Sequence, residues 1–310
     1  YDHDLSYLPA DAARWRSIGW TTNPTGLFFQ LFNDGAANAK AYGYPLFLAP
    51  FIRIFGPGHG VAIANTTLMA IGVVAVLLLV RKRCSWAVSA WVATALLLVS
   101  NVTLYALPIG VEPLYVALVA TMFLAAHNGI HGTNRRLAWS LLAAACAAFL
   151  VAEKQPMLVL VAPVLVLLIA RQRVAWQRLV VVGCGVAVFA VAIVPYWHYS
   201  NGRSITPYGG ERYASYGGLS WVGPDSDATR SESDDVSSWS YVRTHAFHDL
   251  GTKRVAATYY LLGQHTGLLV WLPFAVFVVV LTLADLRRST AFGVAALLGV
   301  LGYVAFYIVL

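Results

Sequence analysis

Long apolar runs separated by short polar connections dominate the chain from residue 59 onward. Stretches such as Ile63–Val80 and Leu179–Val194 approach the roughly 20 residues needed to cross a hydrocarbon core about 30 Å thick. The dyad alternation of a transmembrane barrel is absent, so the pattern predicts helices. Spans are expected over about 59–80, 86–104, 113–127, 137–152, 156–170, 179–196, 265–284 and 290–310. Between 137 and 170 the run is broken at Glu153, Lys154 and Pro156. A proline and two charges disfavour one continuous helix there, so two helices with a tight outer turn are expected. Two long segments, 1–58 and 197–264, are more polar. In the first, AYGYPLFLAPFIRIFG (41–56) surrounds the single Arg53 with apolar residues and reads as a helix lying at or dipping into the membrane interface. In the second, PDSDATRSESDDVSSWS (224–240) is polar, and its flanks are dense in Tyr and Gly or read as an amphipathic helix returning to the membrane.

Composition agrees with the pattern. Apolar residues make up 59% of the 310 and charged residues 11%, with a mean hydropathy of +0.66. Soluble domains carry about a quarter charged residues, so the expected class is an all-α polytopic membrane protein. The net charge of +7 would by itself suggest nucleic acid, but its distribution points elsewhere. Alternate connections hold Arg81, Lys82, Arg83, Arg135, Arg136, Arg171, Arg173, Arg178, Arg287 and Arg288 with one acid, Asp285, while the other thirteen acids fall in the remaining segments. Short basic loops face the cytoplasm. The basic excess is therefore a topology signal, no nucleic-acid partner is expected, and the acids face outward.

The expected organisation is an outer loop with an acidic stretch and interfacial helix (1–58), transmembrane helices (59–196), a second outer loop (197–264) and further transmembrane helices (265–310). The chain begins at Tyr1 without Met and stops inside an apolar run. Truncation at both ends is expected, with a missing first helix just upstream. Cys84, Cys146 and Cys184 lie at a cytoplasmic end or within spans, so no outer disulfide framework is implied. Arg outnumbers Lys seventeen to four, a balance that suits a bacterium with a GC-rich genome.

Candidate chemistry concentrates outside. YDHDLSYLPADAARW (1–15) places Asp2 and Asp4 two apart, on one face of an extended segment. Carboxylates at a membrane surface serve as a general base or hold a divalent cation such as Mg or Mn, with Asp4 the candidate ligand; they also simply solvate a loop or cap a helix. Among outer cations, Lys154 in AEKQP, Arg212 in PYGGERY, Arg203 and Arg53 are candidate phosphate contacts, against a default role as interfacial anchors. Glu112 in GVEPLY either caps the following span or joins a site. His198 and His265 bracket the late loop, and Tyr208 is one of several tyrosines able to stack on a sugar or to form an interfacial belt. His245, His248 and His265 have no metal spacing.

The acidic motif DHD, the later YGYPLFLAPF (Tyr42–Phe51), many spans and a late outer loop together resemble the GT-C superfamily of membrane glycosyltransferases. The likeness is greatest to the protein O-mannosyltransferases and the bacterial aminoarabinose or lipid-linked sugar transferases. This chain has Asp-His-Asp where those have Asp-Glu, and one Pro where they have a pair. The resemblance implies a GT-C-like helical bundle and inverting transfer of a sugar from a polyprenyl-phosphate donor to a lipid, glycan or protein hydroxyl. It places the active site on the outer face of the cell inner membrane, with Asp2 as base. Competing readings are a non-catalytic membrane subunit, an outer-face acyltransferase or ligase, and a transporter of lipid-linked substrates. A transporter wants ionisable groups at mid-membrane depth, where this chain has Ala, Val and Leu.

Overall fold

The computed structural model describes residues 6–7, 27–32, 35–38, 43–99, 111–132, 135–199, 212–215, 254, 258 and 290–309. The chain divides into two units, one of residues 1–42 and 190–246 and one of residues 43–189 and 247–310.

The first unit carries a four-stranded antiparallel sheet in the order β1-β3-β2-β4, formed by β1 (Ser6–Tyr7), β2 (Leu27–Phe32), β3 (Gly35–Asn38) and β4 (Arg212–Ser215). β2 and β3 form a hairpin closed at Phe32↔Gly35, and β4 pairs with the other edge of β2, Gln30 opposite Arg212. Residues 1–58 and 197–264, read from sequence as two separate loops, therefore share one sheet. Strand pairing satisfies backbone groups that a loop leaves to water, and it is a long-range contact that no local pattern announces.

The second unit is helical, as expected. Its helices among the described residues are α1 (Gly43–Phe55), α2 (Pro57–Arg81), α3 (Trp86–Val99), α4 (Glu112–His131), α5 (Arg136–Glu153), α6 (Met157–Ala170), the greater part of α7 (Ala175–Tyr199), and α8 (Ala291–Val309). Four stretches, Gly58–Arg81, Glu112–His131, Arg136–Glu153 and Ala175–Pro195, are long and apolar enough to cross a membrane. The expected span 265–284 lies outside the described residues. The predicted break at Glu153–Pro156 is a turn, with the Met157 N–H donating to the Lys154 carbonyl at 2.9 Å.

Small residues set the helix spacing, as they must where lipid supplies no hydrophobic force between helices. Ala125, Ala126, Ala143 and Ala147 are buried in the main core with Met122, Leu150, Val161 and Leu168. A Cβ at Gly129 of α4 would stand 2.6 Å from Ser140 Oγ of α5, and one at Gly299 of α8 would strike the Leu160 carbonyl of α6. The outward faces stay apolar, with Trp91 of α3 75% exposed and Leu179 of α7 72% exposed. In water such faces would be a heavy cost; in a bilayer they are the solvent-facing surface.

The helix expected within 41–56 is α1, and a sharp turn joins it to α2. Gly56, with φ 79° and ψ 166°, adopts a conformation open essentially to glycine alone, and the chain turns back on itself there. α1 then packs antiparallel along the start of α2: Gly60 sits against the Phe51 and Ile52 backbone, and Tyr44 reaches Asn65. Tyr44 and Leu48 are buried with Val61, Ala64, Leu68, Leu114 and Ala117.

Candidate functional site

Polar groups gather in the helical unit where α1 and α4 begin and α5 ends, beside Asn65 of α2. Glu153 is the last residue of α5 and is only 4% exposed. Its Oε1 accepts the Gly43 N–H at 2.8 Å, and the Tyr44 N–H donates to the same carboxylate. The side chain thus meets the unsatisfied amides of the first turn of α1, where the helix dipole also favours a negative charge. The approach is close enough that glycine is required: a Cβ at Gly43 would overlap Oε1 and stand 2.5 Å from Phe149 Cζ. One turn of sequence therefore ties α1 to the α5–α6 hairpin.

Beside this anchor, the Tyr44 hydroxyl donates to Asn65 Oδ1 at 2.8 Å, a buried bond between α1 and α2. Burial pushes the Tyr44 phenol above its ordinary range; the Asn65 bond opposes this and the charge of Glu112 adds to it. Tyr44 is accordingly a neutral donor. Glu112 begins α4 with Pro113 behind it, and the N-cap Val111 supplies no side-chain bond. An acid in that first turn complements the dipole. One turn further, the ring of Tyr115 lies beneath Lys154, with Nζ 5.9 Å from the ring centroid, inside the range of cation–π attraction. Lys154 itself caps α5 in an extended conformation (φ −151°, ψ 97°), which carries the chain out of the helix and into the turn.

Of the residues singled out from sequence, the structure brings Lys154 and Glu112 to this end. Arg53 is exposed in the last turn of α1, away from the Gly43–Glu153 junction by most of a helix length. His198 lies exposed near the end of α7. Arg212 is in β4, in register with Gln30. Asp2, Asp4, Arg203, Tyr208 and His265 lie outside the described residues, as does the cation expected at Asp4. No group of three or more His, Cys, Asp or Glu side chains able to hold a metal occurs among the described residues.

Sequence reasoning passed over four members of the cluster. Glu153 was visible only as an interruption, although an acid at the end of an apolar helix requires a partner. Asn65 was a polar residue within an apolar run, the same kind of signal. Tyr44 and Tyr115 were indistinguishable from interfacial aromatics.

No family model, curated protein or solved structure matches this chain.

Proposed function

We propose that this chain is an integral-membrane glycosyltransferase of the GT-C kind. It transfers a sugar, with inversion, from a polyprenyl-phosphate donor to a lipid, glycan or protein hydroxyl at the extracytoplasmic face of the cell inner membrane. The observation that carries the reading is the polar cluster of Lys154, Tyr115, Glu112 and Tyr44 at the end of the bundle away from the basic connections. That is the end the positive-inside rule assigns to the outside.

Lys154 supplies positive charge for a lipid phosphate at the level where the spans end. Tyr115 holds the ammonium from below, and the Glu153–Gly43 junction fixes the turn from which Lys154 projects. Glu153 is a positioning residue, because its carboxylate is occupied by backbone donors. The base is assigned to Asp2. It takes the acceptor hydroxyl proton as that oxygen bonds to the anomeric carbon, and the carbon–oxygen bond to the phosphate breaks with its electron pair leaving on phosphate. Attack from the face opposite the leaving group gives inversion.

The test is the donor dependence of Lys154→Ala. A charge-assisted phosphate contact is worth about 1.5–3 kcal/mol, so apparent donor KM should rise roughly 10- to 100-fold, with acceptor dependence little changed. An unchanged donor KM removes Lys154 from the site.

A further inference from the structure

The opposite end of the helical unit holds a second cluster, and the transferase reading makes no use of it. The ends of α2, α4 and α6, at Arg81, His131 and Ala170, lie there. Hydrogen bonds join the start of α5, the connection after α6 and the start of α7. The Arg136 guanidinium donates to the Arg171 carbonyl, and Gln172 Nε2 donates to Ser140 Oγ at 2.9 Å and to the Leu168 carbonyl at 3.0 Å. Arg178 Nε donates to the Gln172 carbonyl at 3.2 Å. Gln172 and Ser140 are buried. The frame is thus built, and it holds cations. His131, the last residue of α4, lies within electrostatic reach of Arg83, Arg136 and Arg171, and His127 one turn earlier lies within reach of Lys82 and Arg83. The two imidazoles are 4.8 Å apart, and His127 meets the edge of Phe292 at 5.3 Å.

Two features call for an anion. First, the described carboxylates, Glu112 and Glu153, are both at the other end of the unit, and Asp285 lies outside the described residues. Like charges therefore converge without a described counter-charge, which costs free energy at each close pair. Second, the Nε–H of Arg136 is a buried donor without a hydrogen-bond partner among the described residues. Buried polar atoms are otherwise almost always satisfied, and a guanidinium N–H matches a phosphate oxygen.

The surroundings specify the source of that anion. Trp86 and Trp176 open α3 and α7 beside these helix ends, 58% and 52% exposed, and exposed apolar residues continue along both helices, Trp91 and Val92 on one and Leu179 and Val182 on the other. Tryptophans of this kind mark the headgroup level. A ligand with an anionic head at the cations and alkyl chains along those helices satisfies both halves. We propose that Arg83, His131, Arg136 and Arg171 form a binding site for the phosphate headgroup of an anionic phospholipid in the leaflet bordering this end of the bundle.

The test uses the purified full chain in phosphatidylcholine nanodiscs, titrated with diphosphatidylglycerol and scored by native mass spectrometry for retained lipid. Arg83 and Arg171 are exposed, and their side chains donate none of the bonds that lock the frame, so Arg83→Gln and Arg171→Gln preserve it. Each should weaken retention about fivefold, and the pair about 25-fold, from roughly 1 kcal/mol per basic residue near an anionic headgroup. Arg83→Lys should restore most of the loss. Arg53→Gln, the same charge change at the far end, should leave retention unaltered. Retention of diphosphatidylglycerol no better than phosphatidylcholine, or equal retention by the double variant, overturns the site. Protection by inorganic phosphate at equal phosphate concentration overturns the lipid as its ligand in favour of a free anion.

Discussion

Substituting Gly43 by Ala tests whether the α1 junction is as tight as its geometry indicates. The new methyl group would overlap Glu153 Oε1 and lie 2.5 Å from Phe149 Cζ, so the carboxylate, the ring or the start of α1 must move. Overpacking of this kind costs about 1–3 kcal/mol. Displacing the carboxyl group also weakens the 2.8 Å bond from Gly43 N–H, and a hydrogen bond contributes about 0.5–1.5 kcal/mol net. Against these stands the better helix propensity of alanine, about 1 kcal/mol. The expected net loss is about 0.5–3.5 kcal/mol. Equilibrium unfolding of the purified full chain in mixed micelles, followed by helical circular dichroism, measures it. The control is Gly58→Ala, where an added Cβ meets nothing within 4 Å and stability should hold or rise slightly. Adding Glu153→Asp to Gly43→Ala, which withdraws the carboxylate, should recover only part of the loss because Phe149 remains. Equal stability of Gly43→Ala and Gly58→Ala would refute the close junction.

Tyr44→Phe removes the donor to Asn65 Oδ1 in a buried contact and should destabilise by about 1–3 kcal/mol, with part of it recovered in Tyr44→Phe/Asn65→Leu because both polar partners are then gone; unfolding of the cycle of four proteins checks this. In a background without Cys84, Cys146 and Cys184, Ser233→Cys should react with a membrane-impermeant maleimide in intact cells and Ser85→Cys should not. Equal labelling of the two would break the assignment of alternate connections to opposite sides.

How far the sequence reveals the structure depends on the range of each interaction. Where an apolar run is bounded by charges, the boundaries come through: the span expected at 59–80 is the helix Pro57–Arg81, and that at 137–152 is Arg136–Glu153. The gathering of Arg83, Arg136 and Arg171 at one end follows from the alternation of spans, because an even number of crossings returns the chain to the same side. The doubling back of α1 on α2 depends on the conformation of one residue, Gly56, which sequence does not distinguish from any other glycine. The anchor of the candidate site is less legible still. Glu153 meets Gly43 across 110 positions, and nothing local to AEKQP or to AYGYP names the other. Lys154 was identified as a cation at an outer turn, but its seat on Tyr115 required the packing of α4 against α5. The pairing of Arg212 with Gln30 across the first sheet is likewise hidden, since strands at 27–32 and 212–215 are joined only by the fold.

Sugar transfer at the outer face can be measured with a panel of donors. Purified full chain is incubated with radiolabelled polyprenyl-phosphate sugars and an envelope lipid and glycan acceptor fraction, with the folded state verified by circular dichroism. Transfer from at least one donor is expected. Asp2→Asn should lower turnover roughly 10²–10⁴-fold with donor binding retained, the contribution of a positioned general base. Folded protein that transfers none of the sugars, or Asp2→Asn turning over at the wild-type rate, would contradict the proposed reaction.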